Sequence, residues 1–203
     1  MRRIRIGGPG DNTALAEIGE ILKGGGVVAY PTDTIYGLGC DPLSQPSLER
    51  IYSLKGRGRD HGWPLLVLLD SSTRLGGWSD EIPDAARGLL RHWPAPLTLV
   101  MRVRRDLPGT LLRGGATLGF RVPASRLCRA ICMAAGGALT STSANRSGSP
   151  PLEDPEEIAS EFAADLDALV DAGALPPSLP STVVRCEGDA AELIRPGAFP
   201  FPH

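Results

Sequence analysis

Short strand-like runs recur along this chain between amphipathic helical stretches, and the two kinds do not alternate one for one. That interleaving predicts an α/β fold built on a twisted, mixed, open sheet flanked by helices rather than a clean doubly wound one. Arg2 to Ile6 alternates polar and apolar residues and reads as a strand. Asn12 to Lys23 spaces Leu15, Ile18 and Leu22 on one helical face and stops at Gly24-Gly25-Gly26. Further strands read at Val27 to Tyr30, Leu65 to Leu69, Leu97 to Val103, Leu118 to Val122, Ala138 to Thr140, Ala168 to Val170, Thr182 to Arg185 and Glu192 to Ile194. Helices read at Ser47 to Lys55, Pro83 to Arg91, Ser125 to Ala135 and Pro155 to Phe162, the last with Pro at its first turn. With 203 residues and no linker or internal repeat, one domain spanning residues 1–203 is expected.

The 25 glycines and 19 prolines are roughly twice the usual share of about 12%, so turns are expected to be many. A formal net charge of −2 argues against binding nucleic acid mainly by neutralising phosphates, which calls for a clear excess of Lys and Arg. The longest purely apolar run, Leu65 to Leu69, is too short to span a bilayer, and Met1 to Leu15 lacks an apolar signal core. A cytoplasmic protein with no membrane partner is expected. Cys40, Cys128, Cys132 and Cys186 form no CxxC pair, and Cys128 with Cys132 read as two buried residues on one helix.

No GxxxxGK[ST] phosphate loop, GxSxG elbow or HExxH motif is present, and Gly8-Pro9-Gly10 is too lone a signal for a dinucleotide site. Four polar clusters stand out instead. Tyr30 to Gly39 runs a strand into hydroxyls, Asp33 and two glycines, which otherwise read as a capped turn. Lys55-Gly56-Arg57-Gly58-Arg59 puts three cations on alternate residues after a helix, a place where they also serve as dipole complements and where a surface loop is expected. Thr140 to Asn145 sets hydroxyls and an amide just past a strand, where open α/β sheets bind ligands. The fourth joins Ser181-Thr182-Val183-Val184 with Arg195-Pro196-Gly197. If the fold brings Lys55, Arg57, Arg121 and Arg195 together, they make a concave cationic pocket for a polyanionic small molecule.

Seven strings stand in the order and spacing of the YrdC family, and over Gly24 to Gly197 the chain resembles that family. They are Tyr30 to Gly39, Lys55-Gly56-Arg57, Trp93 to Thr98, Phe120 to Ala124, Thr142 to Asn145, Ser181 to Val184 and Arg195-Pro196-Gly197. The family's split KxR and SxN signature is carried by Lys55 with Arg57 and by Ser143 with Asn145. The resemblance implies a nucleotidyltransferase that joins L-threonine, bicarbonate and ATP into L-threonylcarbamoyl-adenylate with release of diphosphate. It implies Mg²⁺ with the ATP, no organic cofactor, and a partner complex that passes the threonylcarbamoyl group to tRNA, with weak or indirect tRNA contact here. By motif position Lys55, Arg57, Thr117, Ser143, Asn145 and Arg195 would hold ATP, and Thr34, Arg121, Ser141 and Ser181 would hold threonine, with Thr32 the fallback for Thr34.

Because the nucleophile forms from substrate, no activated Ser or Cys is needed, and no general base is assigned; Asp33 either orients a cation or water or caps its turn. The chain departs from the family pattern at Gly58, where Pro is common, and places Leu66 near where some members carry a His. Longer members add a carboxy-terminal domain that covers the nucleotide; here the Ser147 to Asp154 loop is the expected cover. The rival reading is a non-catalytic RNA-binding module of the same fold, against which stand the charge balance and the lack of an aromatic ladder. A carbamoyl-transfer module of the hydrogenase-maturation type would require further segments that 203 residues do not hold.

Overall fold

The structure, a computed structural model, describes residues 1–56 and 65–201. Helix α1 (Asn12–Lys23) begins where Asp11 Oδ1 accepts the Ala14 N–H at 3.2 Å and ends at Gly25, whose φ of +83° suits glycine. It buries Ala14, Leu15, Ile18 and Leu22. Helix α5 (Arg126–Ala134), capped by Ser125 Oγ on the Cys128 N–H at 3.1 Å, buries Cys128, Ile131 and Cys132 and packs against α1. The remaining helices are α2 (Gln45–Leu54), α3 (Asp84–Leu90), α4 (Gly109–Leu112) and α6 (Pro155–Phe162), with a 3₁₀ turn at Ser72–Gly77.

Ten strands among the described residues form one sheet: β1 (Arg2–Arg5), β2 (Val28–Pro31), β3 (Tyr36–Gly39), β4 (Leu66–Leu69), β5 (Leu97–Arg102), β6 (Thr117–Arg121), β7 (Ala138–Ser143), β8 (Ala168–Asp171), β9 (Thr182–Glu187) and β10 (Ala190–Arg195). Their spatial order is β1-β8-β2-β3-β7-β4-β6-β5-β9-β10. Parallel pairs (β1 with β8, β2 with β8, β4 with β6, β5 with β9) mix with antiparallel ones, so the expected mixed sheet is what forms.

Alternation along each strand sorts side chains to two faces. Val28, Tyr30, Leu68, Leu139, Ala168 and Val170 pack beneath α1 and α5. Ala29, Val67, Leu69, Leu99, Phe120 and Val184 face the other way, into a larger core shared with α2, α3, α4 and α6. Helices α1 and α5 meet β1, β2, β4, β7 and β8, which among the described residues leaves the β6-β5-β9-β10 half of that face beyond these two helices. The site lies there.

The expected elements recur with ends moved by no more than three residues, and the differences have physical causes. Tyr36–Gly39 is a strand, not part of a turn, because it pairs with β2 and β7. Strand β7 runs on to Ser143, so Ser141 to Ser143 lie within the sheet rather than past its edge. All four cysteines are free and buried, as the spacing implied for Cys128 and Cys132.

Candidate active site

On the half-face beyond α1 and α5, every second residue looks into one cavity of about 470 Å³: Thr98 and Val100 of β5, Thr117, Gly119 and Arg121 of β6, and Ser181, Val183 and Arg185 along β9 and its approach. Ser141 and Ser143 of β7 join from the other side, and Thr32 and Thr34 come over the top from the β2-β3 loop. Gly119 leaves the floor bare; a Cβ there would stand 3.0 Å from Thr98 Cγ2.

Arg121 is the cavity's buried cation. Its Nη1 donates to Thr34 Oγ1 at 3.4 Å, its Nη2 lies 3.4 Å from Asp33 Oδ1, and its Nε has no partner. Asp33 turns its other oxygen to the Ala124 N–H at 3.0 Å, so it ties the loop to the end of β6 and counters Arg121 only loosely. Thr32 Oγ1 fixes the loop's shape, donating to the Ile35 carbonyl at 2.6 Å and accepting the Thr34 and Ile35 N–H groups at 3.1 and 3.2 Å. An orphaned donor on a buried guanidinium costs free energy until an acceptor arrives, so this corner suits a carboxylate.

Arg195 reaches the same cavity through a β-bulge. Leu193 opposes Val184, but Arg195 opposes Val183, leaving Ile194 as the extra residue. Without that shift Arg195 would sit opposite Thr182, on the other face; with it both Ile194 and Arg195 line the cavity. Gly197 then passes so close to the neighbouring backbone that a Cβ would stand 2.2 Å from the Pro180 carbonyl oxygen. Arg195 Nη2 donates to the Ser181 carbonyl at 2.8 Å, and Ser181 Oγ lies 2.8 Å from Thr98 Oγ1. The Arg195 side chain stands at the rim, yet burial of its inner end, and then the nearby Arg121 charge, lower its proton affinity. Two guanidiniums that repel each other across a hollow are disposed to accept an anion between them.

Lys55 corrects an expectation. It is 1% exposed, at the end of α2 rather than on a surface loop, because its Nζ donates to the Ser143 carbonyl at 2.7 Å, the Asn145 carbonyl at 2.6 Å and Asn145 Oδ1 at 2.6 Å. The two halves of the KxR and SxN signature therefore meet, with Ser143 on the cavity wall and Lys55 and Asn145 behind it. Arg57 lies outside the described residues. Of the four cations expected to ring one hollow, Arg121 and Arg195 line it and Lys55 stands behind its wall.

Of the other expected site residues, Thr34, Thr117, Ser141, Ser143 and Ser181 line the cavity. The Ser147 to Asp154 loop does not cover it. None of residues 147–154 lines it, and bonds from Ser147 N–H to the Lys55 carbonyl, Leu152 N–H to the Ala144 carbonyl and Leu175 N–H to the Glu153 carbonyl tie the loop behind the β7 wall. The sequence reading missed Thr98 and Arg185, although the two-residue period from Ser181 points Arg185 to the same face. Val100, Thr117 and Arg185 also border a second hollow of about 550 Å³ with mixed charge. Among the described residues no three His, Cys, Asp or Glu side chains group as metal ligands.

The family model described as Telomere recombination (Sua5, YciO and YrdC) matches residues 20–197. A threonylcarbamoyl-AMP synthase of Nitrosococcus oceani is 38% identical over 152 residues, 74% of this chain and 81% of that protein. The crystal structure of Pyrococcus abyssi Sua5 complexed with L-threonine superposes with a TM-score of 0.87 at 29% identity; it covers 97% of this chain, which spans 57% of that one. E. coli YciO superposes with a TM-score of 0.84 at 27% identity, covering 97% of this chain and 94% of that one. No helix among the described residues is long and apolar enough to cross a membrane. With the fold, the ordered motifs and the matched span in agreement, the chain belongs to the Sua5/YciO/YrdC family.

Proposed function

We propose that this chain, acting as a single domain, joins L-threonine, bicarbonate and ATP into L-threonylcarbamoyl-adenylate and diphosphate. The adenylate then feeds formation of threonylcarbamoyladenosine in tRNA through a separate transferase complex in the cytoplasm. The observation that carries this reading is the buried Arg121, with its unpartnered Nε, beside Thr34 and across from Arg195 in a hydroxyl-lined cavity. Relatives named threonylcarbamoyl-AMP synthase support it, as does the related chain crystallised with L-threonine.

In this reading the threonine carboxylate takes the Arg121 guanidinium, and Thr34, Ser141 and Ser181 present hydroxyls to its amine and hydroxyl. The nucleotide lies along Thr117, Ser143 and Arg195, with Lys55 and Asn145 bracing Ser143 from behind and Arg57 following Lys55. The threonine amine and bicarbonate give a carbamate and water. The carbamate oxygen attacks the α-phosphorus, a P–O bond forms, and the bond to the diphosphate breaks. Threonine carboxylate, carbamate and triphosphate repel one another, so the protein's work is to hold them in line and offset their charge. Positioning of that kind contributes about 7–11 kcal/mol. Mg²⁺ would come as part of the ATP substrate and would supply charge neutralisation on its phosphates. A net charge of −2 leaves any tRNA contact weak or indirect, and a non-catalytic RNA-binding module is not favoured.

The test is a product assay with ATP, threonine and bicarbonate, each omitted in turn. Threonylcarbamoyl-adenylate and diphosphate should form only in the complete mixture. Diphosphate release that ignores threonine would overturn the proposal.

A further inference from the structure

The string Trp93 to Thr98 runs into strand β5, which lies between β6, the carrier of Arg121, and β9, whose approach carries Ser181. Its backbone ties those two sides together. The Ala95 N–H donates to the Val122 carbonyl at 3.0 Å, one residue past Arg121, and the Pro96 carbonyl accepts the Thr182 N–H at 3.0 Å, one residue past Ser181. Trp93 Nε1 closes the turn by donating to the Leu97 carbonyl at 2.7 Å. Of the six residues, Thr98 is the one that lines the cavity. Its Cγ2 is the first atom that a Cβ on Gly119 would meet, at 3.0 Å, so the methyl lies against β6 and the hydroxyl turns to Ser181 Oγ at 2.8 Å.

We infer that Thr98 is a positioning residue: its hydroxyl sets the direction of the Ser181 hydroxyl, and through it the grip on the bound amino acid. A hydroxyl has one proton to give and two lone pairs to receive with. Thr98 is 2% exposed, and Ser181 Oγ is the one acceptor that its side chain reaches among the described residues, so the proton between the two oxygens belongs to Thr98. Were it the Ser181 proton, that of Thr98 would be buried with no acceptor, a cost that the reverse arrangement avoids. Ser181 Oγ also receives a longer approach from Arg195 Nη2 at 3.4 Å. With both lone pairs engaged, Ser181 is left as a donor, its own proton directed to an acceptor oxygen of the ligand. The contact between the Thr98 methyl and Gly119 holds the rotamer that this requires. The role rests on the reading of Ser181 as a threonine contact and adds the residue that sets its polarity.

The experiment measures binding of L-threonine and of ATP, each alone, to the full chain. Thr98→Val, which keeps the shape and loses the hydroxyl, should weaken L-threonine about five- to ten-fold and leave ATP unchanged. Thr98→Ser, which keeps the hydroxyl, should bind L-threonine with an affinity closer to the parent's than to the valine variant's. In a Ser181→Ala background Thr98→Val should cost nothing further, the mark of a residue that acts through Ser181. Unchanged threonine affinity in Thr98→Val, equal loss of both ligands, no recovery by serine, or a full additional loss on top of Ser181→Ala each overturns the role. Because binding is the readout, a parent chain that shows this pattern yet makes no threonylcarbamoyl product would sink the catalytic reading and leave the role of Thr98 standing.

Discussion

Arg121 and Lys55 are both buried cations, and their surroundings set different outcomes for their removal. Arg121 has one unpartnered nitrogen, a 3.4 Å bond to Thr34 and a 3.4 Å approach to Asp33, so its charge is directed at a ligand more than at the protein. Arg121→Ala is expected to raise the KM for threonine more than that for ATP and to lower kcat/KM for threonine by about 10²-fold or more. Steady-state kinetics with each substrate varied checks it, and equal loss for both would mean that threonine sits elsewhere. Lys55 is instead saturated by carbonyl and amide oxygens of Ser143 and Asn145. Lys55→Ala strands those acceptors, so product formation should fall and the fold should lose about 1–3 kcal/mol as well. Chemical denaturation reads that second effect, and unchanged stability would mean that the oxygens find water. The sequence singled out both residues; it did not separate them, because burial of Lys55 depends on partners 88 to 90 residues away.

Elements whose signals are local were legible, and those made by distant partners were not. Helix α1 begins and ends as read because the Asp11 cap, the apolar spacing and the glycine stop all lie within it or beside it. Strand β3 reads as a glycine-rich turn and becomes a strand only because Gly37 and Gly39 let it lie against β7: a Cβ on Gly39 would stand 2.3 Å from the Thr140 carbonyl oxygen. The bulge in β10 leaves no trace in residue type, yet it decides which face Arg195 serves. The Arg195-Pro196-Gly197 string was recognisable as a motif, and its reason is steric. At Gly197 a Cβ would stand 2.5 Å from the Ser181 carbonyl carbon and 2.6 Å from the Thr182 nitrogen. Gly197→Ala should therefore push this segment off Ser181, withdraw the Arg195 guanidinium and cost about 1–3 kcal/mol by overpacking. Activity should fall toward the level of Arg195→Ala; a variant as active and as stable as the parent would show that the close approach does not hold Arg195 in place.

Across the whole molecule, acids whose burial outweighs any nearby cation tie stability to pH. Burial raises the Cys40 thiol from 9.0 to about 12 and the Cys186 thiol from 9.0 to about 11, and it lifts the Tyr30 hydroxyl well above 10.0. The unfolded chain releases these protons near the ordinary values while the folded chain keeps them, so rising pH favours the unfolded state. The stabilisation is complete below about pH 9 and is lost through about pH 11 for Cys186 and about pH 12 for Cys40. Within that window each such group lowers the unfolding free energy by about 1.4 kcal/mol per pH unit. Urea denaturation at pH 8, 9, 10 and 11 should thus give flat stability to about pH 9 and a steepening fall beyond it. Cys40→Ala loses its own packing at every pH, but it should also make the alkaline slope shallower, a change that a packing defect alone does not produce. Stability that stays level from pH 9 to 11 would mean that these side chains reach water in the folded state, against their position in the two cores that flank the sheet.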